Sequence, residues 1–186
     1  MQDAEDLWVF GYGSLMWRPG FEFEDQAPAR VRGYHRSLCI FSHVHRGTPE
    51  KPGLVLGLDR GGACRGVAFR VAARRRAETL SYLREREQVT AVYREAWLAA
   101  DLADDRRVTC VAYVVDRAHP QYAGRLPPAD LIPLVAQGRG VSGANIDYVR
   151  ATHDHLLATG IEDPTLSFVL RSLPTANIRR FGDSVQ

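Results

Sequence analysis

Leu7-Trp8-Val9-Phe10-Gly11-Tyr12-Gly13-Ser14-Leu15-Met16-Trp17 is an apolar run that breaks into glycines. It reads as a strand, Leu7 to Gly11, that ends in a loop over Tyr12 to Trp17. Working outward, Arg30 to Phe41 mixes alternating and apolar positions, as a strand with an irregularity near Gly33 would. His43 to Gly53, with Gly47, Pro49, Pro52 and Gly53, reads as a loop. Leu54 to Leu58 and Gly66 to Val71 flank Gly61-Gly62, a spacing that predicts a hairpin turned by the paired glycines. Arg74 to Gln88 is the first convincing helix. Ala91 to Ala100 and Val108 to Val115 predict a second hairpin, turned within Asp104 to Arg106.

The remainder is helical. Pro128 suits a first helical turn and Gly138 an ending. A further helix is expected from Ile146 to Thr159 with Gly160 just beyond it, and another from Asp163-Pro164 to a point before Pro174. Strands come first with one helix between them, and helices come last. That order favours an α+β fold, with a mainly antiparallel, barrel-like sheet and helices packed outside it. The 186 residues suit one domain spanning 1–186, with a less ordered tail after about 174.

Composition narrows the function classes. A net charge of +2 is too small to make nucleic acid or an anionic membrane the main partner. No apolar stretch approaches the ~20 residues a membrane helix needs. The acidic start, Met1 to Asp6, lacks the layout of a signal peptide, so a cytoplasmic enzyme or binding protein is expected. Cys39, Cys64 and Cys110 sit singly in apolar runs and read as buried free thiols.

Two features carry chemistry. The first is Gly11-Tyr12-Gly13-Ser14-Leu15-Met16, whose glycines let backbone N–H groups approach a carboxylate or a developing oxyanion, or simply make a tight turn. A nucleotide loop is disfavoured, since Met16 stands where a third glycine belongs and no Gly-Lys-Ser/Thr follows.

The second feature is Glu87. At about 100° per residue it falls roughly 20° from Leu80 and 40° from Leu83, continuing the stripe Ala77, Leu80, Leu83, while Glu78 and Glu85 point away. A carboxylate on the inward face, at the negative end of the helix dipole, has a raised pKa and suits proton transfer. An ion pair with Arg84 or Arg94 is the competing reading and would lower the pKa instead.

Other candidates stay open on residues alone. Arg46, beside Gly47, either faces an acidic substrate or is a solvated loop arginine. Tyr148 and Asn145 begin a late helix and either line a pocket or pack in the core. His43-x-His45 and His153-x-His155 make poor metal pairs, one in a loop and one off-face on a helix. Trp8, Trp17 and Trp97 read as core or pocket-wall residues.

Val9 to Trp17, together with Gly33-Tyr34, His45 to Pro49, Lys51-Pro52-Gly53, Cys64 to Ala68, Arg86-Glu87, Tyr93-Arg94 and Asn145 to Tyr148, resembles the ChaC-type γ-glutamylcyclotransferases. The resemblance covers nearly the whole chain in order. It departs at Gln88, where members often carry Met or Lys. It implies a small β-barrel flanked by helices, no metal or cofactor, and cleavage of glutathione to 5-oxoproline and cysteinylglycine. It further implies Glu87 as the catalytic acid/base and a substrate-binding set of Gly11, Tyr12, Gly13, Ser14, Leu15, Met16, Arg46 and Tyr148. No obligate protein partner is implied. Other γ-glutamyl peptides or amines are alternative substrates, and a non-catalytic γ-glutamyl-binding regulator is the alternative from another class.

Overall fold

The computed structural model describes residues 5–87 and 90–173. The tail after 174 and Gln88 lie outside the described residues. Five strands close into a barrel in the order β1-β3-β2-β4-β5. They are β1 (Leu7–Gly11), β2 (Asp25–Ser42), β3 (Gly53–Val71), β4 (Tyr93–Leu102) and β5 (Arg107–Val115). Every pairing is antiparallel except β1 with β5, where Trp8 and Val9 run parallel to Cys110 and Val111. The helices are α1 (Arg76–Glu87), α2 (Pro128–Gln137), α3 (Asn145–Ala158) and α4 (Pro164–Ser172). A short ribbon, β6 (Arg139–Gly140) with β7 (Gly143–Ala144), leads into α3. The α+β barrel with flanking helices is as expected.

The hairpin expected at Gly61-Gly62 is not one. β3 runs straight through both glycines and pairs with β2 along its whole length. Arg32 faces Ala63 and Tyr34 faces Arg60, so Gly33 alone stands opposite the two glycines. All three have positive φ, 83° for Gly33 and 105° and 70° for Gly61 and Gly62. Paired glycines supply the left-handed conformation that a turn needs, and a bulge needs the same. Here they bend a long ribbon, and β2 begins at Asp25 rather than Arg30.

Strand alternation divides the core. Leu7, Val9, Phe69, Val71, Val111 and Tyr113 pack with Leu83 of α1. Phe10, Ala68, Ala112 and Val114 belong to the larger cluster shared with Val135, Val149, Leu156, Leu166 and Val169 of α2 to α4. Cys39, Cys64 and Cys110 are buried free thiols. Trp97 corrects the core reading: it is 45% exposed on β4, with the Arg76 guanidinium over its ring.

Gly66 shows how closely β1 and β3 approach at the loop. A Cβ there would lie 2.2 Å from the Gly11 carbonyl oxygen and 2.8 Å from the Phe10 ring. Gly66→Ala is therefore expected to cost about 1–3 kcal/mol through forced backbone movement. A urea midpoint equal to wild type would show that the contact relaxes freely.

Candidate active site

β1 delivers the glycine loop to one end of the barrel. Gly13 has φ −136° and ψ −130°, and Ser14 to Met16 form a 3-10 turn rather than an open loop. The turn's bonds run from Met16 to Gly13 and from Trp17 and Arg18 to Ser14. The N–H groups of Gly13, Ser14 and Leu15 precede those bonds and meet no acceptor among the described residues. Two guanidiniums fix the loop from outside. Arg36 donates to the Tyr12 carbonyl (2.6 Å) and the Arg65 carbonyl (2.7 Å). Arg86 donates to Ser14 Oγ (3.0 Å).

α1 brings Glu87 to the same place. Leu83 is fully buried and centres the inward face, with Thr79 buried one turn before it. Glu87 follows Leu83 at i+4 and closes the helix. Ala77, expected on the stripe, is exposed. It lies about 120° from Leu83, so the face centres on Leu83 rather than Leu80. Neither expected ion-pair partner takes Glu87. Arg84 binds Glu95 through two bonds of 2.8 and 3.0 Å, and Arg94 is exposed. The ion pair that does form is with the adjacent Arg86, Nε to Oε1 at 3.2 Å. Burial raises the Glu87 pKa, and the Arg86 charge opposes that rise without cancelling it.

The carboxylate and the loop line one cavity of about 60 Å³, together with Leu56, Tyr93, Tyr113 and Tyr148. Glu87 is the one carboxylate in this lining. Burial pushes the Tyr12 and Tyr93 phenols well above their ordinary value and Tyr148 up to about 12, so all three stay protonated near neutral pH. Tyr93 Oη donates to the Leu56 carbonyl (2.7 Å), while the Leu56 N–H donates to Tyr148 Oη (3.0 Å). Asn145 fastens the start of α3 beside them, accepting from Leu54 N and donating to Leu54 O, both at 2.7 Å.

Of the expected substrate-binding set, Tyr12, Gly13, Ser14, Leu15 and Tyr148 meet around Glu87. Gly11, Met16 and Arg46 do not line the cavity. Gly11 lies against Leu15 and Gly66, and Met16 is buried in the core. Arg46 donates to the Ser142 carbonyl (2.6 Å) and sits 5.5 Å above the Tyr148 ring, behind the site rather than in it. Tyr93 enters the sequence reading only as a strand residue within the Tyr93-Arg94 motif, and Tyr113 only as a strand residue, neither with a site role. Period-2 alternation in β4 sets Tyr93 and Glu95 on one face, with Tyr113 the cross-strand partner of Glu95. Trp17 stacks on His155 at 4.3 Å, and His45 Nδ1 meets Ser142 Oγ at 2.9 Å.

Three larger cavities lie elsewhere: one of about 240 Å³, whose Glu22 and Glu78 both pair with Arg75, and two of about 560 and 430 Å³. Their acids are already committed: Asp101 bridges Arg32 and Arg107, and Asp163 caps α4 through Thr165 N and Leu166 N.

Nucleophilic alternatives to acid–base chemistry fare poorly here. Ser14 Oγ faces a guanidinium, which has no lone pair to accept its proton. The three thiols are buried, and burial pushes Cys39 and Cys110 up to about 12. What the site presents is one enclosed carboxylate beside a row of backbone N–H donors.

The chain is similar to known proteins along most of its length. The family model described as ChaC-like protein matches residues 7–174. The glutathione-specific gamma-glutamylcyclotransferase of Escherichia coli is 34% identical over 183 residues, covering 98% of this chain and 79% of that one. Glutathione-specific gamma-glutamylcyclotransferase 1 of Mus musculus is 36% identical over 162 residues, covering 85% and 73%. Among solved structures, a glutathione-specific gamma-glutamyl cyclotransferase from yeast superposes with a TM-score of 0.79 at 21% identity, covering 89% of this chain and 94% of that one.

Proposed function

The chain belongs to the ChaC-like family, and from that premise we propose that it cleaves glutathione by internal cyclisation, as a lyase giving 5-oxoproline and cysteinylglycine. The observation that carries the mechanism is Glu87, enclosed, ion-paired only to its neighbour among the described residues, and facing the same cavity as the glycine loop.

The substrate supplies its own nucleophile. Its α-amine attacks the γ-carbonyl, a five-membered ring closes, and the γ-amide C–N bond breaks. Glu87 takes the proton from the attacking amine and returns it to the departing cysteinyl nitrogen, so no proton is gained or lost overall. The N–H groups of Gly13, Ser14 and Leu15 supply donors for the substrate carboxylate or for the oxyanion. Tyr148 contributes a phenol whose oxygen already accepts from Leu56 N, which leaves its proton for the substrate. Arg46 acts at one remove by holding the Tyr148 ring. A 60 Å³ cavity is well below the usual size of a ligand pocket, so it encloses the reacting arm and leaves the rest of the tripeptide toward the rim. Folding that arm into a reactive conformer draws on the roughly 7–11 kcal/mol available from intramolecular orientation.

No described helix is long and apolar enough to cross a membrane, and the reading places the protein in the cytoplasm acting on a small-molecule substrate without an obligate protein partner. Incubation of the purified protein with glutathione alone is expected to yield 5-oxoproline and cysteinylglycine in equal amounts by mass spectrometry. γ-Glutamyl-alanine and γ-glutamyl-lysine are expected to turn over more slowly. Calorimetric binding of glutathione with no product after hours would replace this reading with that of a non-catalytic binder.

A further inference from the structure

Arg86 is spent on an unusual set of partners. Its Nη1 faces the carbonyl oxygens of Arg18 (2.5 Å) and Pro19 (3.2 Å) and Tyr82 Oη (3.1 Å). Its Nη2 donates to Ser14 Oγ (3.0 Å), and its Nε lies 3.2 Å from Glu87 Oε1. One planar group thus spans the glycine loop, the segment that follows it and the carboxylate. The chain turns tightly around this point. Gly20 has φ +75°, and a Cβ there would fall 2.0 Å from Tyr82 Oη. The side chain is only 23% exposed, so its donors are held rather than dispersed into solvent.

We propose that Arg86 is a positioning residue that locks Glu87 and the Ser14 turn into one rigid frame and sets a positive charge beside the carboxylate. The inference rests on Glu87 being the base. Nε lies 3.2 Å from Oε1, an ion-pair contact that draws the carboxylate toward the guanidinium. Nη2, on the same edge of the guanidinium as Nε, donates to Ser14 Oγ, so the loop and the carboxylate meet one side of one planar group. A change in one contact moves both.

The electrostatic part follows from what surrounds the carboxylate. Around Glu87 stand Tyr12 and Ser14 from the loop, Tyr93 from β4, Tyr113 from β5 and Tyr148 from α3. All are neutral at working pH. Arg84, on the same helix, is neutralised by Glu95. Arg86 is therefore the one cation among the described residues acting on Glu87 at contact distance, set against the burial that favours the protonated form. Lysine cannot replace it, because an ammonium offers three donors on one atom and cannot bridge points on opposite sides of a fork.

The test uses Arg86→Gln and Arg86→Lys with pH profiles of kcat and kcat/KM for glutathione. Protonation of Glu87 is read independently from the carboxyl infrared band that Glu87→Gln abolishes. Arg86→Gln is expected to lower kcat about 100-fold, the scale of a small misplacement of reacting groups. It should also move the Glu87 titration and the acid limb upward by about one pH unit, as loss of an adjacent opposite charge requires. Arg86→Lys is expected to keep the titration near wild type while kcat stays reduced. A merely structural arginine would lower the melting temperature of Arg86→Gln without moving the infrared titration, and that result overturns the proposal. If Arg86→Gln does not fold, Arg86→Lys decides, and wild-type kcat in that variant overturns it equally. Full activity in Glu87→Gln instead removes the base itself, a failure that the infrared titration of Arg86→Gln keeps separate.

Discussion

Glu87→Gln is expected to reduce 5-oxoproline formation by about 10² to 10⁴ in kcat while leaving the folded state as stable as wild type or more so. The amide keeps the shape of the side chain and cannot carry a proton between the amine and the leaving nitrogen. The stability side follows from the direction of the pKa shift. Burial raises the folded carboxyl above its ordinary 4.5. The folded state therefore binds the proton more tightly than the unfolded chain does. Its stability falls as pH rises from the unfolded value through the raised folded one, and the whole penalty is present above that. Glutamine carries no such penalty, although it gives up the ion pair with Arg86. The same shift places the acid limb of kcat/KM above the ordinary glutamate range, because the base works only when ionised. Single-turnover product measurement and calorimetric melting check the two halves. A variant that keeps most of its activity would remove Glu87 from the mechanism.

Glu87 also shows what one-dimensional reasoning reaches. Helical periodicity separated it from Glu78 and Glu85, because inward placement on a helix is a local property of spacing. The rival ion-pair reading could not be settled that way, since Arg84 had a choice of acids. It took Glu95, which the β4 strand sets within 2.8 Å. Whether Gly61-Gly62 makes a turn or a bulge was equally out of reach, because both need positive φ and only the partner strand decides. Tyr93 and Tyr113 come to the site through barrel closure, which no local pattern encodes. Arg46 was open on residues alone between an acidic substrate and solvent, and its loop sets it over the Tyr148 ring, a contact that local spacing does not encode.

Asn145→Ala is expected to cost about 2–5 kcal/mol, the largest stability loss of any single substitution considered. Asn145 is fully buried, and its amide completes both hydrogen-bonding groups of Leu54, also fully buried. In effect the side chain plays the part of a neighbouring strand along this stretch of β3. Alanine leaves a backbone N–H and a carbonyl without partners, each costing about 1–3 kcal/mol. The surroundings leave little room for repair by backbone movement. A Cβ at Gly53 would meet the Arg46 carbonyl oxygen at 2.2 Å, and one at Gly138 would meet Asn145 Cβ at 2.9 Å. Such a loss is a large part of the 5–15 kcal/mol that holds a domain folded. Activity should suffer less per molecule that remains folded, because Leu56, two residues on, still holds Tyr93 and Tyr148. Urea unfolding with kcat measured below the transition separates the two effects, and a loss under about 1 kcal/mol would mean that water satisfies Leu54. Glu87→Gln and Asn145→Ala thus pull apart in opposite directions. The first is expected to remove chemistry from an intact frame, and the second to loosen the frame while the Glu87 carboxylate stays in place.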